Sequence, residues 1–263
     1  MNALMLSIVI PAYNEEFHIK ACLDAIALQT VAPKEVFVVD NNSTDTTVKI
    51  ASKYSFVKIL REKQQGQVFA QRIGFNAAKS DILGRIDADT LLPPDWVEKV
   101  IKEFESDSYL VAVTGDAEPY DIPLKEIAEI VFRVYHVYGS RWIAGHPMLW
   151  GANCAIRRSA WLKIDNLMAY RYNFWEDYEM SFLLAPLGRI KFLPSLIVSC
   201  SFRSAHKSLL AQIEYHFRAV RTFWLYAHPL RTIIFFLVRS TMVLIFPFAM
   251  LDRTIRWFQG SNR

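Results

Sequence analysis

The sequence predicts an α/β protein with a Rossmann-like, mostly parallel sheet and helices on both faces. In the first half of the chain, apolar runs of about four to six residues alternate with longer segments of helical spacing. Because parallel strands are covered on both faces, they are typically short apolar runs separated by helices. Acidic residues also follow three of the predicted strands, which is typical of the ligand-binding edge of such a sheet.

The predicted elements alternate from the N-terminus onward. Strands are expected at residues 6–10, 35–40, 57–60 and 82–87. Helices are expected at residues 15–28, 44–54, 67–79 and 95–104. In the first helix, Ile19, Leu23 and Ile26 have the spacing of one helix face. Pro93 and Pro94 precede the last helix, where the fixed φ of proline favours a helix start.

The composition argues against several classes of protein. Of the 263 residues, 52% are hydrophobic and 14% aromatic, which favours contact with a membrane. The net charge of +4 suits an anionic substrate or lipid and is too small for a dedicated nucleic-acid binder. Three widely spaced cysteines, Cys22, Cys154 and Cys200, argue against disulfides and a zinc site, so we expect reduced thiols in a cytosolic compartment. The first apolar run is short and has no basic region before it, which favours a strand over a signal peptide.

Carboxylates are expected to share one crevice at the sheet edge. Glu15 follows the first strand, Asp40 ends the second, and Asp87 and Asp89 end the fourth. The last two are separated only by Ala88, and two carboxylates so close repel each other unless a cation is present. Hard oxygen ligands favour Mg²⁺ or Mn²⁺, which usually share coordination with substrate phosphates. For this acidic pair alone, the alternative is a solvated turn.

Five sequence blocks, in order, resemble the inverting family 2 glycosyltransferases of GT-A fold. They are SIVIPAYNEE (7–16), VVDNNSTDTT (38–47), QGQVFAQRIGFNAA (65–78), RIDADT (85–90) and FWEDYEMSFLL (174–184). The resemblance covers residues 7–184, and each block coincides with a predicted strand end or helix start. It therefore implies a GT-A fold, a nucleotide-sugar donor and an enzyme.

The resemblance implies a role for each residue of the donor side. Asp40 would accept a base N–H of the kind uracil offers, Asp87 would hold the ribose or a metal-bound water, and Asp89 would ligate Mn²⁺ or Mg²⁺. The other nucleotide-sugar residues would be Pro11, Ala12, Tyr13, Glu15, Gly66, Arg72 and Ala88. From the residues alone, Arg72 is equally explained as a surface charge and Gly66 as a loop glycine.

On the acceptor side, the resemblance makes Asp177 the catalytic base, with Glu176 shaping the acceptor pocket. Gly151 would let the backbone approach the donor sugar, and His206 would complete the metal shell. A departing diphosphate needs no general acid, whereas the incoming hydroxyl needs a base. One aspartate, separate from the Asp87 and Asp89 pair, is therefore sufficient for inverting transfer. The alternatives are a helix-start acid for Asp177 and a structural histidine for His206.

We expect a catalytic domain at residues 1–204, with a nucleotide-sugar half at 1–115 and an acceptor half at 116–204. Residues 205–263 would form a membrane-associating appendage. An apolar stripe begins this appendage at Leu210, Ile213, Phe217, Val220 and Trp224. Residues 232–251 are long enough to span a bilayer, but Arg239 near their middle is costly there. We therefore predict an in-plane or re-entrant segment at the cytoplasmic face of the membrane, with a surface for a second copy or a partner subunit as the alternative.

The leading hypothesis from the sequence is a metal-dependent inverting glycosyltransferase. It would move a sugar from a UDP-sugar to a lipid-linked or cell-envelope glycan acceptor. One alternative keeps the fold and makes the acceptor a polyisoprenyl phosphate, whose oxygen needs little help from a base. The other is a non-catalytic nucleotide-sugar-binding assembly subunit, which would not need Asp177.

Overall fold

A computed structural model of the protein describes residues 3–121, 126, 129–130, 133–171, 173–203 and 208–241. The strands are β1 (Leu6–Ala12), β2 (Glu35–Asp40), β3 (Val57–Arg61), β4 (Ile82–Arg85), β5 (Leu110–Pro119), β6 (Cys154–Arg157) and β7 (Arg189–Cys200). The first helices are α1 (Ile19–Ala27), α2 (Thr47–Ala51), α3 (Gln67–Ala77) and α4 (Trp96–Ser106). A π-helix (Arg133–Gly139) continues into α5 (Ser140–Ala144), followed by α6 (Arg158–Ile164), α7 (Glu176–Leu184), α8 (Leu209–Tyr226) and α9 (229–241).

The sheet confirms the predicted α/β architecture. Its strand order is β3-β2-β1-β4-β6-β5-β7. Strands β1 to β4 are parallel to one another, whereas β6 runs antiparallel to both β4 and β5. Ala12 is in register with Asp40, so the carboxyl ends of β1 and β2 meet at one edge. The residues that follow β4 reach the same edge because β4 pairs in parallel with β1.

Two helices are shorter than their spacing predicts, because polar side chains bind the backbone where the helices were expected to begin. The backbone N–H of Glu15 donates to Thr47 Oγ1 at 2.7 Å, and that of Thr44 donates to Asn14 Oδ1 at 2.8 Å. Side chains of this kind offer the backbone an alternative to helical hydrogen bonds. As a result α1 begins at Ile19, and the loops after β1 and β2 are tied together beside the sheet edge.

Helix α7 is packed between two cores. On one side Met180 and Leu184 join the core beneath the sheet, with Trp161 of α6. On the other side Tyr178 packs with Phe223 of α8 in a cluster that also includes residues of α5 and α9. The C-terminal helices therefore hold α7 against the sheet, and the start of α7 carries Glu176 and Asp177.

The predicted apolar stripe of the appendage divides in the structure. Leu210, Phe217 and Trp224 are exposed, while Val220 packs against the cluster of Tyr178 and Phe223. Within the described residues no helix combines the length and apolar character needed to cross a bilayer. The predicted domain boundary at 204/205 and residues 242–251 of the apolar segment lie outside the described residues.

Asn153 ties helix α4 to strands β5 and β7, and its loss is expected to destabilise the fold. Its Oδ1 accepts Trp96 Nε1 at 2.8 Å, and its Nδ2 donates to the carbonyls of Asp116 and Leu196. Asn153→Ala leaves these groups buried without partners, so the free energy of unfolding measured in urea should fall by about 1–3 kcal/mol. Asn76→Ala is the control, because exposed Asn76 also accepts an indole N–H and water can replace it. Equal losses would contradict the role of burial.

Candidate active site

The nucleoside half of the candidate site lies where β1 and β2 end. Pro11, Ala12 and Asp40 are buried, and Tyr13 at the mouth is about half exposed. One carboxylate oxygen of Asp40 accepts the N–H of Ser43 at 3.0 Å. These residues therefore lie next to each other at the ends of β1 and β2, and the nucleoside pocket that they would form stays a prediction.

Gly66 is held against this pocket by Asn41. Its N–H donates to Asn41 Oδ1 at 2.7 Å, and Asn41 Nδ2 donates to the carbonyls of Glu62 and Gln64. The φ of Gly66 is +140°, a conformation that L side chains rarely adopt. Glycine is therefore required here by the turn that opens α3.

A buried guanidinium links the two acidic motifs. Arg85, at the end of β4, is only 2% exposed. Its Nη1 donates to Asp177 Oδ1, while its Nη2 lies 3.1 Å from Asp87 Oδ1 and 3.7 Å from Glu176 Oε1. A buried charge must be paired, so Arg85 fixes the start of α7 against the strand-end aspartates. These carboxylates raise the pKa of Arg85 above its ordinary value, although burial opposes them.

The backbone of Gly151 donates the second hydrogen bond that orients Asp177. Its N–H donates to Asp177 Oδ2 at 2.8 Å. A Cβ at Gly151 would lie 1.0 Å from Arg85 Nη1, so the guanidinium occupies the space a side chain would need. The structure thus gives this glycine a contact that the sequence did not predict, and its proposed approach to the donor sugar stays a prediction.

The catalytic base candidate has an unusual protonation equilibrium. Burial raises the pKa of Asp177 from 3.8 to about 7, although Arg85 and the Gly151 N–H both favour the ionised form. A carboxylate with a pKa near working pH is suited to taking a proton from a hydroxyl. Each oxygen accepts one strong hydrogen bond and still has a lone pair for an incoming hydroxyl.

Asp89 belongs to a second charged group. Its Oδ2 lies 3.1 Å from Arg203 Nη2, which also donates to Glu15 Oε1. Burial, and after it the Asp87 charge, raise the pKa of Asp89 to about 7, although Arg203 opposes both. The carboxylates at this edge therefore require a nearby cation.

The chemistry of these side chains fits a hard divalent cation. Asp87, Asp89 and Glu15 offer only oxygen ligands, and Glu15 Oε2 is buried without a hydrogen bond, although His18 Nδ1 lies 3.3 Å from it. In the described part of the chain, no three acidic, histidine or cysteine side chains converge as a complete set of ligands. Donor phosphates and water would have to complete the shell, and His206, predicted as a ligand, lies outside the described residues.

Aromatic rings line the acceptor side next to the start of α7. Trp175 stacks on Tyr178 with ring centroids 5.0 Å apart and meets Tyr215 of α8 edge-on at 5.0 Å. Trp150 and Phe202 form a second edge-on pair at 6.5 Å. We call Trp150, Trp175, Phe202 and Tyr215 the aromatic wall. Such a wall suits the apolar face of a sugar ring or a lipid chain.

Arg72 lies outside these contacts. Its Nε donates to Asp165 at 2.9 Å, and its guanidinium stacks over the Tyr170 ring at 4.2 Å. Its predicted role near the nucleotide stays a prediction. Conversely, sequence reasoning missed Arg85, Arg203 and the aromatic wall. Only Arg85 had a visible signal, since it is a charge inside an otherwise apolar strand.

The fold and the site together define a glycosyltransferase of GT-A fold. The sequence model of Glycosyl transferase family 2 matches residues 7–164. The chain therefore belongs to glycosyl transferase family 2, and its assignment as a transferase is confirmed.

Relatives in sequence span the chain to different extents. An uncharacterized glycosyltransferase of Haemophilus influenzae is 29% identical over 217 residues, which are 78% of this chain and 71% of that protein. The chondroitin synthase of Pasteurella multocida is 35% identical over 113 residues, or 41% of this chain. The chain spans only 12% of the length of that synthase, and the same holds for a hyaluronan synthase of Pasteurella multocida.

Two solved structures share the fold. A mannosyltransferase from Pyrobaculum calidifontis, in complex with GDP-Man and Mn²⁺, has a TM-score of 0.69 and 21% identity, covering 100% of this chain and 76% of its own. TarS of S. aureus, in complex with UDP-GlcNAc, has a TM-score of 0.61 and 17% identity, covering 85% and 74%. At these identities the likeness establishes the fold alone.

Adding a methyl group at position 151 should separate Asp177 from its two donors. Gly151→Ala is expected to lower the free energy of unfolding by about 1–3 kcal/mol, because the new Cβ overlaps the Arg85 guanidinium. In an Arg85→Met background the same substitution should cost much less, since the overlapping group is gone. Urea denaturation of the four proteins measures both costs. Equal costs in both backgrounds would refute the proposed overlap.

Proposed function

We propose that this protein is a metal-dependent inverting glycosyltransferase that uses a UDP-sugar. Its acceptor would be a lipid-linked or cell-envelope glycan at the cytoplasmic face of the membrane. The observation that carries the proposal is the Arg85 group, in which one buried guanidinium joins Asp87 on the donor side to Asp177 on the acceptor side. A reaction between a donor and an acceptor needs both held in one rigid arrangement.

The donor side supplies binding and charge. The floor around Ala12 and Asp40 would take the nucleoside, with the Asp40 carboxylate accepting a base N–H. Asp89 would ligate the divalent metal and Asp87 would hold the ribose or a metal-bound water; the metal when bound neutralises the charge that develops on the departing diphosphate. The two structural neighbours support a nucleotide-sugar donor, since one complex contains GDP-Man and the other UDP-GlcNAc.

The acceptor side supplies the proton acceptor. An acceptor hydroxyl beside Asp177 would attack the anomeric carbon from the face opposite the diphosphate. The new C–O bond forms as the C–O bond to the diphosphate breaks, and the hydroxyl proton passes to a free lone pair of Asp177. Arg85 and the Gly151 N–H keep that carboxylate oriented throughout, and the aromatic wall excludes water from competing with the acceptor.

Two substitutions should separate donor binding from transfer. Asp89→Ala is expected to abolish the stabilisation by UDP-sugar and Mn²⁺ in a thermal-shift assay. For the wild-type protein, a UDP-sugar concentration of 100 times Kd should stabilise the folded state by about 2.7 kcal/mol. Asp177→Asn should keep that stabilisation and lower kcat toward a hydroxyl acceptor by about 10²–10⁴-fold. GDP-mannose is tested beside the UDP-sugars, and Asp24→Asn, at a half-exposed side chain, is the control.

Other outcomes of this panel decide between the alternatives. Substantial transfer by Asp177→Asn to a polyisoprenyl phosphate would establish the phosphate acceptor. Binding of nucleotide sugar without turnover by the wild-type protein, across hydroxyl and phosphate acceptors, would establish an assembly subunit instead. Stabilisation by UDP-sugar that persists in excess chelator would refute the proposed dependence of donor binding on a metal.

The raised pKa of Asp177 predicts the direction of the pH dependence. The base must be deprotonated, so kcat at saturating donor and Mn²⁺ should rise with pH and level off above about 7. Below that pH the rate should fall about tenfold per unit. The residual rate of Asp177→Asn should not show this fall in rate below pH 7. A wild-type profile that is flat down to pH 5 would contradict the assignment of the base.

A further inference from the structure

The π-helix–α5 segment and α9 form an antiparallel pair on the surface of the protein. At one end, the hydroxyls of Tyr135 and Thr241 lie 2.9 Å apart. At the other end, Arg231 Nη1 donates to the carbonyl of Ala144 at 2.8 Å. The start of one helix therefore meets the end of the other, and the two run side by side along their whole described length.

Each helix of this pair has an apolar stripe that the described part of the chain leaves exposed. The stripes are Val134, Tyr138 and Trp142 on the first helix and Leu230, Ile233 and Leu237 on α9, and each of these side chains is at least half exposed. We call the six together the docking face. It is a contiguous apolar surface of a kind that marks an interaction site.

Both stripes lie on the same side of the pair. The residues that line the cleft between the helices include Gly139, Ile143 and Val238. In each helix, the exposed residues come one position before residues that line the cleft. Tyr138 comes directly before Gly139, and Leu237 directly before Val238. One position is a rotation of about 100°. Each stripe is therefore rotated by the same angle about its helix axis, away from the cleft. Because the two helices are antiparallel, these two rotations turn both stripes to the same side of the pair.

The charges of the pair select the partner. Residues 133–144 and 229–241 contain arginines and no aspartate or glutamate. Arg141 and Arg231 are exposed, whereas Arg239 turns inward, 4.6 Å from the centre of the Trp175 ring. The charge that makes a membrane crossing costly is thus directed into the protein. An apolar stripe with exposed arginines and tryptophan matches the interface of an anionic bilayer.

We infer that the docking face lies in the plane of the membrane, on the headgroups of anionic lipids. The inference deepens the proposed function and rests on it for the identity of the acceptor. The opposite side of the pair contacts the aromatic wall, since His136 packs on Trp150 and Arg239 on Trp175. The wall is therefore about one helix diameter, roughly 10 Å, from the lipid surface. The acceptor class that fits is a lipid whose reacting group lies close to its headgroup, rather than the end of a long glycan.

A labelling experiment on the full chain tests this orientation. The native cysteines that the structure describes are buried, so Leu237→Cys can be labelled selectively with an environment-sensitive dye. Its emission should shift to the blue on vesicles of phosphatidylcholine with phosphatidylglycerol. The matched control is Leu162→Cys, because Leu162 is as exposed as Leu237, on helix α6. Its emission should not change.

A partition measurement tests the energetics. Trp142→Ser combined with Leu237→Glu should weaken binding to the same vesicles at least about tenfold. Tyr109→Ser combined with Leu162→Glu, of similar exposure, should leave binding unchanged. Unchanged binding by the first pair would overturn the inference. Blue-shifted emission at position 237 without vesicles would also overturn it. If that emission does not depend on protein concentration, residues 242–263 cover the docking face. If it does, a second copy of the chain covers it.

The proposed function and this inference fail separately. Stabilisation by UDP-sugar and Mn²⁺ is measured on the same variants without vesicles, and it should equal that of the wild type. Its absence in every protein, with vesicle binding intact, would refute the proposed donor chemistry and leave the docking face in place. Normal donor binding with no vesicle binding by the wild type would refute the docking face alone.

Discussion

The candidate site depends on one buried guanidinium. Arg85 ends a strand of the central sheet, and it has no route to solvent for its charge, so carboxylates must gather around it. Removing one partner of such a buried pair costs about 3–5 kcal/mol, because the other charge is left uncompensated. The same contacts that stabilise the fold therefore place Asp87 and Asp177 in fixed positions relative to each other.

The two arginines of the site differ in how firmly they are held. The Arg85 side chain is 2% exposed, whereas that of Arg203 is 42% exposed and contacts Asp89 and Glu15 from a loop after β7. The Arg203 guanidinium can be solvated when it leaves, whereas Asp89 and Glu15 are largely buried and need a cation beside them. Arg203 can leave its carboxylates at small cost when another cation arrives, while Arg85 is a permanent part of the site.

Helix α7 connects the chemistry to the surface of the protein. Its first turn carries the acidic pair, its apolar side rests on the sheet core, and Tyr178 packs against the C-terminal helices. The segment that appeared from its sequence to be a separate appendage thus packs on the acceptor side. The inward position of Arg239, over Trp175, explains how a charge is accommodated in so apolar a segment.

The sequence by itself determined the α/β class, the acidic motifs and, to within two residues, the strand ends. Apolar runs, helical spacing and the positions of Asp40, Asp87 and Asp89 are local properties of the chain. Helix starts were misjudged at residue 15, where side chains of a distant loop bind the backbone. Only the tertiary structure decided the partners of those acids: Arg85 for Asp87 and Asp177, Arg203 for Asp89, and the aromatic wall. Such partners are close in space and far apart in sequence, so no spacing rule reveals them.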